Sequence, residues 1–155
     1  MEVDDIVLSV KGLVVKFGSF AAVNGIDFDV RKGEIFGFLG PNGAGKSTTM
    51  NIICGVLNQT DGTVYINGID TRKNPVEAKK NIGFLPQKPP LYSDHTVDEY
   101  LEFCAELRLM EPKKIKQAVE MAKERCGIAH FSKRLIRNLS GGYQQRLGIA
   151  QAIIH

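Results

Sequence analysis

The chain has 155 residues, 43% hydrophobic and 24% charged, the balance of an ordinary globular domain. Its 20 basic and 17 acidic residues leave a net charge of +3, too mild for a nucleic-acid stripe or a membrane patch. No apolar run approaches the roughly 18 residues a membrane span needs, and the acidic start Met1-Glu2-Val3-Asp4-Asp5 lacks the apolar core of a signal peptide. Cys54, Cys104 and Cys126 are widely spaced and form no CxxC pair, so they read as buried, reduced thiols in a cytosolic protein.

Residues 6–17 are rich in strand formers that alternate loosely: Ile6, Leu8 and Val10, then Leu13, Val14, Val15 and Phe17. A Gly18-Ser19 turn follows. Ile26, Phe28 and Val30 alternate with acidic and basic residues, the pattern of a half-buried strand. Gly33 then feeds a short apolar run, Ile35, Phe36, Phe38 and Leu39, which predicts a buried strand. Gly40-Pro41-Asn42-Gly43-Ala44-Gly45-Lys46-Ser47-Thr48 comes next and fits the phosphate-loop pattern G-x-x-x-x-G-K-[S/T]. Met50, Ile52, Ile53 and Cys54, stopped by Gly55, predict the helix that such a loop opens.

Each position of that loop has a physical reason. Glycines let the backbone turn tightly and aim its N–H groups inward with no Cβ in the way. Those groups and the positive end of the following helix make an anion cradle. Lys46 adds a point charge for terminal phosphates, and Ser47 offers a hydroxyl to Mg²⁺, a hard cation that prefers oxygen. A strand before and a helix after are the context that lifts the match above a glycine-rich turn.

Thr63-Val64-Tyr65-Ile66 predicts a further strand, closed by Asn67-Gly68, and residues 74–81 a polar helix. The early strands are expected to form a small antiparallel sheet beside the loop unit. Ile82-Gly83-Phe84-Leu85 predicts a short core strand, ended by Pro86. Gln87 follows at once, at a strand's C-terminal end, where open α/β sheets place their ligands. Thr96 with Glu99 is a capping box, and Val97, Tyr100, Leu101 and Cys104 follow at helical spacing. Pro112 opens a second helix, with Ile115, Val119 and Ala122 on its apolar stripe and Gly127 as its stop. Residues 96–131 therefore read as a helical insert whose stripes are packing faces.

Leu139-Ser140-Gly141-Gly142-Tyr143-Gln144-Gln145-Arg146 opens a last helix, with Ser140 at the cap and Tyr143, Leu147 and Ala150 on the apolar side. Small residues at a helix start make a second candidate anion site. By itself this is an ordinary cap. With the phosphate loop, Gln87 and the helical insert before it, the chain resembles the nucleotide-binding domain of an ABC transporter. Gly40–Thr48 matches that family's Walker A motif, Gln87 its Q-loop glutamine, and Leu139–Gln145 its signature, with Tyr143 in place of the usual Gln. Phe17 alone is a strand-end apolar residue; it falls where the family puts an adenine-stacking aromatic, and its ring keeps the stacking face.

The resemblance implies an α/β fold: a P-loop NTPase (RecA-like) core with an N-terminal antiparallel β subdomain and a helical insert. It implies a core over 1–95, a helical subdomain over 96–138, and a signature with its helix over 139–155. It implies ATP and Mg²⁺ as ligands, with Ser47 and Gln87 at the metal. A second nucleotide-binding domain would close head-to-tail, so that Ser140, Gly141 and Gly142 meet the nucleotide held by the other copy. A transmembrane permease would place the protein at the inner face of the cell membrane, from the cytoplasmic side, and no nucleic acid is expected. Tyr143 resembles the exporter branch.

The family's acidic Walker B strand, catalytic Glu and switch His are absent from these residues, and the uncapped end at Ala152-Ile153-Ile154-His155 reads as a stop inside a helix. The expectation is therefore a truncated domain with an incomplete sheet, inactive by itself and prone to associate through an unpaired Ile35–Leu39 edge. His155 is not the switch His, and His95 and His130 read as solvated surface residues. The competing functional reading is a soluble ABC-type ATPase of translation or DNA repair. A GTPase would need a guanine-reading N-K-x-D sequence, which the chain lacks.

Overall fold

The computed structural model describes residues 5–155; the acidic stretch Met1-Glu2-Val3-Asp4 lies outside the described residues. The chain packs as two units, one running through Ile82 and the other Gly83–His155. The Gln87 segment thus packs with the helices that follow it.

The first unit is built on a four-stranded antiparallel sheet. Strands β1 (Ile6–Phe17) and β2 (Phe20–Arg31) form a hairpin, and β3 (Asp61–Ile66) and β4 (Ile69–Asp70) complete the order β2-β1-β3-β4. The antiparallel subdomain expected from the alternation is present. Simple alternation from Val10 would turn Gly12 and Val14 inward. Instead the ladder shifts register between Val10 and Leu13, so Val10, Leu13 and Val15 are all buried on one face. The bulge is pinned by the Gly12 N–H, which donates to Asp27 Oδ1 at 2.8 Å. Gly62 of β3 lies against it, so close that a Cβ there would sit 2.3 Å from the Gly12 carbonyl oxygen. Helix α1 (Lys46–Ile53) covers this face with Ile52 and Ile53, and α2 (Pro75–Lys80) adds Ala78.

Residues 35–39 correct the sequence reading: they form no strand, and no described strand pairs with them. A strand exists only as part of a ladder, and an apolar run without a partner cannot make one. The segment is held by rings instead. Phe36 stacks on Phe28 of β2 with centroids 5.0 Å apart, and Phe38 approaches the same ring at 5.5 Å. Ile35 and Leu39 are left 99% and 93% exposed.

The second unit is helical: α3 (Val97–Leu107), α4 (Pro112–Arg125) and α5 (Gly141–Ala152), with short 3₁₀ turns at Ala129–Phe131 and Ile136–Asn138. The capping box that opens α3 is formed, with Thr96 Oγ1 accepting from the Glu99 N–H and the Glu99 carboxylate accepting from the Thr96 N–H at 2.7 Å. Val97, Leu101, Val119, Ile136, Leu147 and Ala150 make the core between the three helices. Each such side chain contributes about 1.5–3 kcal/mol of burial when it is aliphatic and fully enclosed.

Residues 82–85 are the second correction, for they too form no strand. The Phe84 carbonyl accepts from Gln151 Nε2 at 3.2 Å, so a side chain of α5 takes the place of a ladder. Helix α5 ends at Ala152, with Ile153 as its C-cap. All three cysteines are free and half-buried, and burial raises each thiol above its ordinary range.

Candidate functional site

The phosphate loop begins where Phe38 releases the chain. The φ angles of Gly40, Gly43 and Gly45 are 152°, 84° and 82°, so the backbone makes turns that a side chain resists. Gly45 is needed twice over. A Cβ there would lie 2.3 Å from the Ala22 carbonyl oxygen of β2, so only glycine lets the loop rest on the hairpin. Gly45 is also the N-cap of α1, and its carbonyl accepts from the Thr49 N–H at 2.9 Å and from Thr49 Oγ1 at 3.0 Å. Those two bonds tie the first turn of α1 to the loop.

Lys46 is the first residue of α1. Its ammonium folds back over the loop and donates to the Gly40 and Pro41 carbonyl oxygens, each at 2.6 Å. A cation is thereby placed at the loop rather than in solvent, on a helix end that already favours anions. Ser47, the next residue, is exposed, and Thr48 is half-buried. Asn42 and Gly43 form the turn at the loop's tip, and the Ala44 N–H donates to the Pro41 carbonyl oxygen at 3.3 Å. Glycine hinges, a captive ammonium and an exposed hydroxyl at a helix start fit a phosphate chain with a hard cation. Among the described residues no three His, Cys, Asp or Glu side chains come together as metal ligands.

Phe17 lies at the end of β1 and pairs with Phe20 across the hairpin turn. Both rings stand out, 55% and 63% exposed. Phe17 therefore has a free face, and is not the packed core residue that a strand end would otherwise suggest.

In the second unit Gln87 is exposed on a segment fastened to α5. Gln151 holds the Phe84 carbonyl, and Gly148 lets Leu85 and Pro89 sit where a Cβ would lie 2.5 Å and 3.2 Å from them. Tyr100 Oη donates to the Pro90 carbonyl at 3.4 Å, and burial raises this phenol well above its ordinary range. The sequence reading singled out Gln87 but not Gly148 or Gln151, because nothing local marks two helix residues as the seat of a distant loop.

Ser140 caps α5 without a side-chain hydrogen bond. Ser140, Gly141 and Gly142 are all exposed, and a Cβ at either glycine would meet nothing within 4 Å. The helix end thus offers N–H groups with open approach. His95 and His130 are exposed as expected, but each packs on a ring, Tyr92 at 5.5 Å and Phe131 at 4.1 Å. His155 lies 3.1 Å from Arg108, and burial together with that charge lowers its pKa.

The model of the family described as "ABC transporter" matches residues 23–155. The probable multidrug ABC transporter ATP-binding protein YbhF of Escherichia coli is 36% identical over 149 residues, which are 96% of this chain and 26% of that protein. The linearmycin resistance ATP-binding protein LnrL of Bacillus subtilis is 34% identical over 148 residues, 96% of this chain and 48% of that one. Among solved structures, cbiO1 from Clostridium perfringens, part of the ABC transporter complex cbiONQ, superposes with a TM-score of 0.85 at 28% identity, over 97% of this chain and 62% of that chain. The chain spans about half the length, or less, of these curated relatives. The fold is that of an α/β P-loop NTPase. The family match takes in every site motif except Phe17, and by it this chain belongs to the ABC transporter ATP-binding family.

Proposed function

We propose that this chain is part of the ATP-binding subunit of an ABC transporter, whose complete form couples ATP binding and hydrolysis to transport through a membrane partner. The observation that carries the reading is the loop at Gly40–Lys46, with its glycine turns and its ammonium held over two backbone carbonyls. Gly40, Asn42, Gly43, Ala44 and Gly45 cradle the phosphates through N–H groups, Pro41, which has no N–H, shapes the turn between them, and Thr48 continues the cradle into α1. Lys46 exchanges its two carbonyl acceptors for terminal phosphate oxygens. Phe17 stacks on the base. Ser47 and Gln87 would hold Mg²⁺, which would neutralise charge on the phosphate oxygens. Ser140, Gly141 and Gly142 present their donors to the nucleotide of a second copy. Their exposure, and the absence of a Ser140 cap bond, support that use.

Hydrolysis is a property of the complete protein, and its catalysis is positioning with electrostatic stabilisation by donors and metal. The partners are a second nucleotide-binding domain and a transmembrane permease, with no role for nucleic acid; the complex named for cbiO1 supports the permease. Among the described residues no helix is long and apolar enough to cross a membrane, which suits attachment through a partner at the inner face. Within this reading Tyr143 assigns the chain to the exporter branch.

The test is nucleotide titration of the complete protein. Lys46→Ala removes charge-assisted bonds of about 1.5–3 kcal/mol, so ATP affinity is expected to fall about 10- to 100-fold. Unchanged affinity would refute the loop assignment. ATP is expected to displace labelled nucleotide better than GTP does, and the reverse order would move the protein to another P-loop class.

A further inference from the structure

The exposed end of α5 has few side chains with which to hold itself in place. Ser140 makes no cap bond, and Gly141 and Gly142 have none to offer. The direction in which their N–H groups point is set by the next two residues. Gln144 Nε2 donates to the Ile136 and Leu139 carbonyl oxygens at 3.3 and 3.2 Å, which ties down the incoming chain. Tyr143 does the rest. Its ring meets Phe131 edge-on, with centroids 4.5 Å apart and planes at 72°, and meets His130 in the same manner at 6.0 Å and 85°. The Arg146 guanidinium lies 5.6 Å from the centre of the Tyr143 ring, and that of Arg134 lies 5.3 Å from the centre of Phe131. Arg146 also reaches the Cys126 carbonyl at the end of α4, passing Gly127, where a Cβ would lie 3.0 Å from its nitrogen. A ring on the first turn of α5 is thus boxed between the Ala129–Phe131 turn and a cation that anchors on α4.

We infer that Tyr143 is a positioning residue: its clasp with Phe131 fixes the angle of the α5 start, and so aims the Ser140, Gly141 and Gly142 donors at a nucleotide presented by a second copy of this chain. The inference rests on the proposed role of those three residues in trans. Edge-on aromatic pairs and cation–π contacts are directional, so they resist rotation of the turn in a way that a flexible side chain at the same position does not. The phenol hydroxyl is assigned no part, because the contacts that build the clasp, to Phe131, His130 and Arg146, all run through the ring.

The experiment uses the complete protein and measures ATP affinity by titration and kcat by steady-state hydrolysis, with folding checked by thermal melting. Tyr143→Ala is expected to lower kcat about 3- to 10-fold, the worth of one aromatic pair, with ATP affinity unchanged. Tyr143→Phe is expected to keep the parental kcat. Phe131→Leu, which keeps apolar bulk and loses the ring, is expected to lower kcat as well, and it stands in should Tyr143→Ala fail to fold. Ser140→Arg is expected to abolish hydrolysis while sparing nucleotide binding. If Ser140→Arg abolishes hydrolysis but Tyr143→Ala and Phe131→Leu keep the parental kcat, the clasp is overturned and the signature reading stands. Loss of kcat in Tyr143→Phe overturns it too, by assigning the effect to the hydroxyl. Full activity in Ser140→Arg overturns the signature reading and the clasp together.

Discussion

Gly45 carries two demands that no other residue meets at once. Its φ of 82° is left-handed, and its α-carbon lies against the Ala22 carbonyl. Gly43 shares only the first, with φ 84° and open space around it. Gly43→Ala should therefore cost about 1 kcal/mol of stability and Gly45→Ala about 3 kcal/mol, read by urea denaturation. Equal losses would show that the hairpin contact does not matter. Glu99 makes a prediction about pH. The Thr96 N–H, and then the Thr96 hydroxyl, hold its carboxyl below the ordinary value of 4.5. A carboxylate depressed in the folded state stabilises above its unfolded pKa, and that contribution is lost as pH falls through the folded one. Glu99→Gln should thus lose part of the parent's steepening acid sensitivity between about pH 5 and about pH 3, measured by melts across that range. Identical slopes would remove the capping carboxylate from the account.

At the scale of elements, α3 and α4 are joined by an ion cluster rather than by apolar contact alone. Lys123 is 1% exposed, and its ammonium donates to Asp98 Oδ1 at 2.5 Å, Glu120 Oε1 at 2.8 Å and Ser132 Oγ at 2.8 Å. Burial alone would depress this lysine, but the two carboxylates overcome it and raise the pKa. The cluster also holds the chain after α4, because the Asp98 N–H donates to the Ser132 carbonyl at 3.0 Å. Lys123→Met should destabilise by about 2 kcal/mol. That is less than for a wholly buried pair, since Asp98 and Glu120 keep 32% and 52% of their exposure. Asp98→Asn should cost more than Glu120→Gln in the same denaturation assay, and the reverse order would contradict the burial argument. Only the Glu120–Lys123 pair shows in the sequence, at helical spacing; Asp98 comes from another helix, which no local pattern announces.

For the whole molecule, the exposed run at Ile35 and Leu39 is the feature that bears on behaviour in solution. Both side chains are almost wholly solvated, beside backbone with no ladder partner among the described residues. Such a surface drives association. Ile35→Asp with Leu39→Asp is expected to lower the concentration-dependent self-association of this chain in sedimentation velocity. Unchanged association would place the contact elsewhere. In the helical unit the stripes of α3, α4 and α5 meet each other, and Leu107 and Leu109 at the end of α3 are left 66% and 89% exposed.

The sequence by itself determined the local features: the hairpin, the helices, the α3 capping box, the glycine loop at Gly40–Lys46 and the Ser140 helix start. Each depends on neighbours within a turn or a strand pair, where spacing and residue type suffice. Tertiary structure decided the rest. Residues 35–39 and 82–85 carry a strand's composition and form none, since pairing is supplied by other chain segments, and here Phe28 and Gln151 take its place. The bulge at Gly12, the seat of the Gln87 segment on Gly148, the Lys123 cluster and the Tyr143 clasp were likewise invisible in advance. Each joins residues distant in sequence, and contact between them follows from packing rather than from periodicity.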